Sequence, residues 1–390
     1  MATFNEYRNK SNQRRYSFRY DAGADPVTGK RIRVRKSGFK SKKEAELELS
    51  RLQIEIEEHG LHTSNIVTFQ DAFNLWFEQY KHTVKESTRA TTKRIMLAHV
   101  LPYFGDVKLS KLTSAYCQKI VNQWFNDGLT TFKRYKNYAS KVIDYAISLD
   151  EMKTNPFDKV NLPRRRFVDE TTTKYFYTKQ ELNQLFSGID KNKYPQPYMF
   201  LWLLAYTGMR KGEAIALRWS DISFTGETIA ISRTYSRGDN NRPMVSSPKT
   251  TKSKRVIDLD PTTISLLKHW KITQAKQNLY LGVRTKGNGH LVFNSSKGKM
   301  IPDSKPRAWL HQAIARINKE LPANQQLQPI KIHALRHTHA SLLFEAGVDI
   351  KDVSERLGHS DIQTTLNIYT HVTEERKKQT AIKFKKFMES

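Results

Sequence analysis

The chain has 390 residues, more than one hydrophobic core normally organises, so two or three domains are expected. Its 66 Lys and Arg against 38 Asp and Glu give a net charge of +28, which makes a nucleic acid or an anionic membrane surface the leading partner. A single cysteine, Cys117, excludes an intrachain disulfide or a cysteine-rich zinc site and suits a reducing cytoplasm.

A membrane is the weaker choice. The opening MATFNEYRNK is polar and reads as no secretory signal. The longest apolar run, YMFLWLLAY, is about half the length a spanning helix needs.

Residues 1–60 read as a small α+β unit. RRYSFRYDAG and GKRIRVRKSGF alternate apolar and polar residues (Tyr16, Phe18, Tyr20; Ile32, Val34), the period of a strand. DAGADPVTG supplies turn formers between them. Ser41 with Glu44 predicts a capping box, opening a helix with Ala45, Leu49, Leu52 and Ile56 on one side. Arg31, Arg33 and Arg35 share one strand face. Three aligned arginines repel unless something neutralises them, which favours contact with DNA over a merely solvated face.

Residues 66–163 read as all helix. Phe69, Ala72, Phe73, Trp76 and Tyr80 form one apolar stripe, and SAYCQKIVNQWF and FKRYKNYASKVIDYAISL are two further amphipathic helices. Lys133, Arg134, Lys136 and Lys141 crowd the last of these as candidate phosphate contacts. NPFDKVNLPRRR, with Arg164 and Arg165, is a linker suited to lie along a phosphate backbone.

Residues 174–390 read as mixed α/β and mostly helical. Thr178 caps a helix, and PYMFLWLLAYTG is a helix buried nearly all round that stops at Gly208. ETIAISRTYS, SKRVIDL and HLVFN are expected strands, and helices fill the remainder. Thr207 or Gly208 should open a second helix with Arg210 in its first turn and Glu213 close enough to hold it. Arg255, Ile257 and Leu259 alternate along the SKRVIDL strand. The turn before it carries Lys249, Lys252 and Lys254, and physics alone does not choose among them.

The stretch KIHALRHTHASLLFEAGVDIKDVSERLGHSDIQTTLNIYTH gathers histidines and arginines around one phenol, Tyr369. An unpaired buried charge is costly, so these cations either face water or surround something strongly anionic. His333 and Arg336 share a helix face. His333 and His337 have the spacing of a zinc-protease helix, but Ala334 stands where that motif needs Glu, so no metal is expected. Gly347 and Gly358 are placed as helix stops, and Ser360 with Gln363 as a capping box for a last short helix. Tyr369 shares that helix's stripe with Ile362 and Leu366, so taken alone it reads as a core tyrosine.

Together, Arg210, HALRH (333–337), LGHSD around His359 and the terminal Tyr369 resemble the tyrosine recombinase (phage integrase) family. PKTTKSKRVIDL resembles that family's Pro-Lys-Thr…Ser-x-Arg turn, and this selects Lys249. The likeness runs from about Thr68 onward; residues 1–60 more weakly resemble the arm-type DNA-binding domain of integrases from phages and conjugative transposons. The resemblance implies an arm domain (1–60), an all-α core-binding domain (66–163) and a mixed α/β catalytic domain with a C-terminal tail (174–390).

For chemistry it implies Tyr369 as nucleophile, Arg210 and Arg336 as phosphate clamps, Lys249 as general acid, His333 and His359 in proton transfer and orientation, and Glu213 as an acidic helper. A 3′-phosphotyrosyl link would exchange one phosphodiester for another, needing neither ATP nor metal, so no cofactor is expected. Implied partners are double-stranded DNA at core and arm sites, three further copies in a tetramer on DNA, and optionally an excision factor or a host DNA-bending protein. In the tail, Ile382, Phe384 and Phe387 suit docking on a neighbouring copy as well as they suit a solvated basic end. A type IB topoisomerase and a non-catalytic DNA-binding regulator are the competing readings.

Overall fold

The computed structural model describes residues 2–24, 29–59, 66–164, 174–248, 253–285, 287–359, 361–366, 368 and 388. Lys249, Lys252, Tyr369, Arg165, Ser360, the tip of the first expected turn (25–28) and the tail residues Ile382, Phe384 and Phe387 lie outside them. The chain forms two compact units, Met1–His82 with Ile95–Pro163, and Thr83–Arg94 with Arg164–Ser390.

The first unit begins with an antiparallel sheet of β1 (Ala2–Arg8), β2 (Arg14–Ala24) and β3 (Arg31–Phe39), braced by α1 (Lys42–His59). Phe18 is fully buried with Ala45 and Leu49, and its ring stacks on Phe39 at 5.8 Å. The sequence does not announce β1. Its inward residues are only Ala2 and Phe4, so pairing with β2 makes it a strand rather than its own pattern. Ser41 Oγ accepts from the Glu44 N–H at 3.2 Å, but Glu44 returns its bond to the Lys40 N–H (2.7 Å), one residue earlier than a capping box requires.

Next come α2 (Phe69–Thr83), a π turn (Met96–Val100), α4 (Leu101–Phe104), α5 (Ser114–Asn126) and α6 (Phe132–Ser148); α3 (Glu86–Ile95), between α2 and the π turn, belongs almost wholly to the second unit. The π turn stands just ahead of Pro102, which has no N–H to continue the helical ladder. Phe69, Phe73, Trp76, Phe104, Trp124 and Ile143 fill this unit's helical core, as the apolar stripes require.

The second unit contains α7 (Lys179–Ser187), α8 (Pro195–Thr207), α9 (Lys211–Ala216), β4 (Ile222–Ser223), β5 (Thr228–Ile231), β6 (Thr234–Arg237), β7 (Pro243–Ser246) and β8 (Arg255–Asp258). It continues with α10 (Pro261–Tyr280), α11 (Lys305–Lys319), α12 (Ala334–Glu345) and α13 (Ile350–Leu357). The capping box of α7 is present, Thr178 with Glu181. Helix α8 is the buried axis, packed by α9, α10, α11 and α12. Helices α12 and α13 close a smaller core of Ala340, Phe344, Val353, Leu357 and Ile368.

Three sequence expectations change. ETIAISRTYS is two strands in separate sheets: β5 joins β4 and β8, whereas β6 pairs with β7. The break falls at Arg233, drawn to Asp221 at 3.2 Å. HLVFN makes only isolated bridges, at Leu291 and Asn294. There the Val292 carbonyl accepts from Trp270 Nε1 (2.9 Å) and Gln274 Nε2 (2.8 Å), so side chains take the place of a ladder. Finally, Gly208 ends α8 in the left-handed region (φ 65°) and opens nothing; Arg210 is the N-cap of α9 rather than part of its first turn.

Candidate functional site

Three arginines of the second unit converge at one place, the C-terminal end of α13. A helix end leaves carbonyls without intrahelical donors and carries the negative pole of the peptide dipoles. Three arginines occupy three successive carbonyls there. Arg255 Nε donates to Arg356 O at 2.8 Å, Arg336 Nη2 to Leu357 O at 2.7 Å, and Arg210 Nη2 to Gly358 O at 3.0 Å. Gly358 turns the chain off the helix in the left-handed conformation (φ 67°), which suits glycine. His359 follows directly.

The three arginines arrive from different elements. Arg336 lies in the first turn of α12 and is 2% exposed; its Nη1 also donates to Gly208 O at 2.7 Å. Gly208 has to be glycine, because a Cβ there would stand 2.6 Å from Leu357 Cδ2 and 2.7 Å from the His339 ring. Backbone carbonyls thus hold this guanidinium in the fold, a third possibility beside water and a bound anion. Burial first, then the charges of Arg210 and Arg255, lower the Arg336 pKa to about 9.

Arg210 is more open, its side chain 35% exposed. Its Nη1 donates to Glu213 Oε1 and its backbone N–H to Glu213 Oε2, both at 2.9 Å. Glu213 is buried, and burial alone would raise its pKa; the hydrogen bond and charge of Arg255, then those of Arg210, more than offset this and hold the carboxyl below its usual range.

His333 and His359 have their pKa values lowered. His333 is solvent-exposed; local desolvation, then the charges of His337, Arg336 and Arg210, lower its pKa, and its ring meets His337 edge-on at 4.9 Å. Burial, then Arg336 and Arg210, bring His359 to about 3, and its Nδ1 hydrogen-bonds Thr365 Oγ1 at 2.8 Å. Behind the carbonyls, His339 Nδ1 donates to Ala205 O (2.9 Å), and its Nε2 accepts from Arg356 Nε at 3.1 Å.

Arg210, Glu213, His333, Arg336 and His359, singled out by sequence, are therefore brought together. Sequence reading did not place Arg255 or Thr365 in the site. For Arg255 a signal existed: period two sets it on the same face as buried Ile257, an unusual place for a cation. At the last helix, the Asp361 side chain accepts from the Gln363 N–H at 2.9 Å.

In the first unit, Arg31, Arg33 and Arg35 are all exposed on one face of β3. Their expected repulsion is partly relieved within the chain, since Asp21 of β2 lies 3.2 Å from Arg31 and 3.9 Å from Arg33. On α6, Lys133 and Arg134 are exposed and Lys136 is half-buried; Arg134 donates to the Tyr138 hydroxyl at 3.2 Å. Arg164 is exposed. Among the described residues no helix is long and apolar enough to cross a membrane.

Comparison with known proteins agrees with this layout. Residues 175–376 match the phage integrase family, residues 68–125 the N-terminal SAM-like domain of phage integrases, and residues 5–56 the Arm DNA-binding domain. The ICEBs1 integrase of Bacillus subtilis (strain 168) is 27% identical over 365 residues, covering 93% of this chain and 94% of the relative. Among solved structures, the Tn1549 transposon integrase in complex with a circular intermediate DNA superposes with a TM-score of 0.66 at 21% identity, over 82% of this chain and 99% of that one. A lambda integrase tetramer bound to a Holliday junction gives 0.53 at 18% identity, over 93% and 94%. These two likenesses concern the fold.

Proposed function

The chain belongs to the phage integrase family, and from that premise we propose that it is a site-specific tyrosine recombinase that cuts and rejoins DNA, integrating and excising a mobile element. The observation that carries the reading is the set of three guanidinium groups on one helix end, flanked by histidines of lowered pKa.

In this reading the Tyr369 hydroxyl attacks a backbone phosphorus, the bond to the 5′ oxygen breaks, and a 3′-phosphotyrosyl link forms. A neutral phenol is a weak nucleophile at pH 7, its ordinary pKa being about 10. His333, unprotonated before DNA arrives, takes the phenol proton, and the incoming phosphate raises its proton affinity. Lys249 gives a proton to the departing 5′ oxygen. Arg210, outward-facing, and Arg336, through N–H groups not spent on carbonyls, stabilise charge that builds on the non-bridging oxygens. His359, its Nδ1 engaged by Thr365, presents Nε2 to the same phosphate. Glu213 steadies Arg210. Attack by a partner strand's 5′ hydroxyl reverses the chemistry and rejoins DNA, with phosphodiester count conserved.

Residues 1–60 bind arm sites through Arg31, Arg33 and Arg35. Residues 66–163 bind the core site, helped by Lys133, Arg134, Lys136 and the linker residues Arg164 and Arg165. Residues 174–390 carry the chemistry. Four copies assemble on DNA with exchange of C-terminal tails, and an excision factor or a host DNA-bending protein assists. The place of action is the bacterial cytoplasm, on the nucleoid.

A nicked suicide substrate tests the reading. The wild-type chain should become covalently trapped, with the nucleotide on the Tyr369 peptide, while Tyr369→Phe binds DNA and forms no adduct. An adduct elsewhere, or an unaffected Tyr369→Phe, overturns it.

A further inference from the structure

The roles assigned so far leave Arg255 unused, although it is the most thoroughly held cation of the site. Its side chain is 6% exposed. Nη2 and Nη1 donate to the two Glu213 oxygens at 2.9 and 3.2 Å, Nη1 also reaches Ser253 O at 3.3 Å, and Nε takes the Arg356 carbonyl at 2.8 Å. Its N–H groups are almost all spent on these acceptors, unlike those of Arg336, so it has little left to offer a substrate.

Its neighbours explain what it does. A carboxylate paired with Arg210 alone would form a neutral pair, cancelling one of the two charges that face the phosphate. Arg255 places its planar fork across both Glu213 oxygens, so that three guanidinium groups stand against one carboxylate and two positive charges remain. It also ties the first carbonyl of the series that holds Arg336 and Arg210. Lysine, a point charge, cannot span both carboxylate oxygens and the carbonyl.

We propose that Arg255 is a positioning residue for DNA cleavage: it takes up the Glu213 carboxylate and fixes the end of α13, so that Arg210 meets the phosphate in the right place with its charge uncancelled. This rests on the reading of Arg210 as a phosphate clamp.

The test is single-turnover cleavage of the nicked substrate by the full chain, with DNA affinity and thermal midpoint measured for each variant. Arg255→Lys, measured at a temperature where its own melting curve shows it fully folded, should cleave at least about tenfold more slowly, with affinity within about threefold. Because both act through one guanidinium, Arg255→Lys should add little to the loss in Arg210→Lys. Glu213→Gln placed in an Arg255→Met background should recover part of the cleavage beyond any gain in thermal midpoint, since it removes the carboxylate that would cancel Arg210; a purely structural ion pair recovers cleavage only in step with stability. The proposal is overturned if Arg255→Lys cleaves at the wild-type rate, if the two arginine losses multiply in full, or if cleavage falls only in step with thermal stability. Should Arg255→Met fail to fold, Arg255→Lys and its double variant decide. Normal cleavage by Arg210→Lys would instead sink the clamp reading itself.

Discussion

Two regions of this molecule each line up three arginines, and they use them in opposite ways. On β3, Arg31, Arg33 and Arg35 stand exposed at alternate positions, with Asp21 as a neighbouring counter-charge. At the end of α13, Arg210, Arg255 and Arg336 arrive from separate elements and are fixed by carbonyls and one buried carboxylate. The first set is long-range charge that water and salt screen; the second is directional charge whose value lies in where its N–H groups point. Under the proposed function, the same residue type in the same number serves affinity in one place and chemistry in the other.

That contrast can be broken most readily by a substitution that keeps charge but loses the fork. Arg336→Lys should lower single-turnover cleavage by about 10²–10³-fold, the usual cost of losing one well-aimed donor to a developing charge. Arg33→Lys should leave cleavage on core DNA unchanged. Equal effects would dissolve the distinction.

Acid sharpens it next. His339, buried and held to about 3 first by desolvation and then by Arg356, stays neutral in the fold while the unfolded chain titrates near 6.5. A depressed histidine pKa means the unfolded state binds more protons between these values, so its stability contribution is complete above about 6.5 and is lost as pH falls. His333 and His359 act in the same direction. Melting curves from pH 7 to 5 should show the second unit losing stability, by up to about 1.4 kcal/mol per pH unit for each fully buried histidine. His339→Gln, which keeps a donor and an acceptor, should flatten that dependence; an unchanged slope would count against it.

The smallest effect belongs to the sheet. Asp21→Asn should leave folding within about 0.5 kcal/mol, as expected of an exposed pair. It should tighten arm-site binding at low salt and steepen its salt dependence, measured by titration at several ionic strengths.

What could be read in advance divides along similar lines. Helical stripes such as Phe69, Phe73 and Trp76, the Thr178 N-cap and the glycine stops at Gly208 and Gly358 are local signals, and they came out as read. Strand β1 and the split of ETIAISRTYS depend on which partner pairs with which segment, and no short-range pattern carries that. The gathering of Arg210, His333, Arg336 and His359 was expected from the family resemblance of their motifs, but the principle of construction was not legible. Carbonyl acceptors have no letter in a sequence, so burial of Arg336 looked like a debt only an anion could settle.

That invisibility has a consequence for how the site can fail. Apart from the Glu213 carboxylate shared by Arg210 and Arg255, the acceptors that hold the three guanidinium groups are peptide oxygens, supplied alike by every amino acid, and no point substitution can delete those. Damage to them has to come through the path of the chain, and Gly358, whose left-handed turn sets the last of the three oxygens, is where a single extra carbon would bend that path.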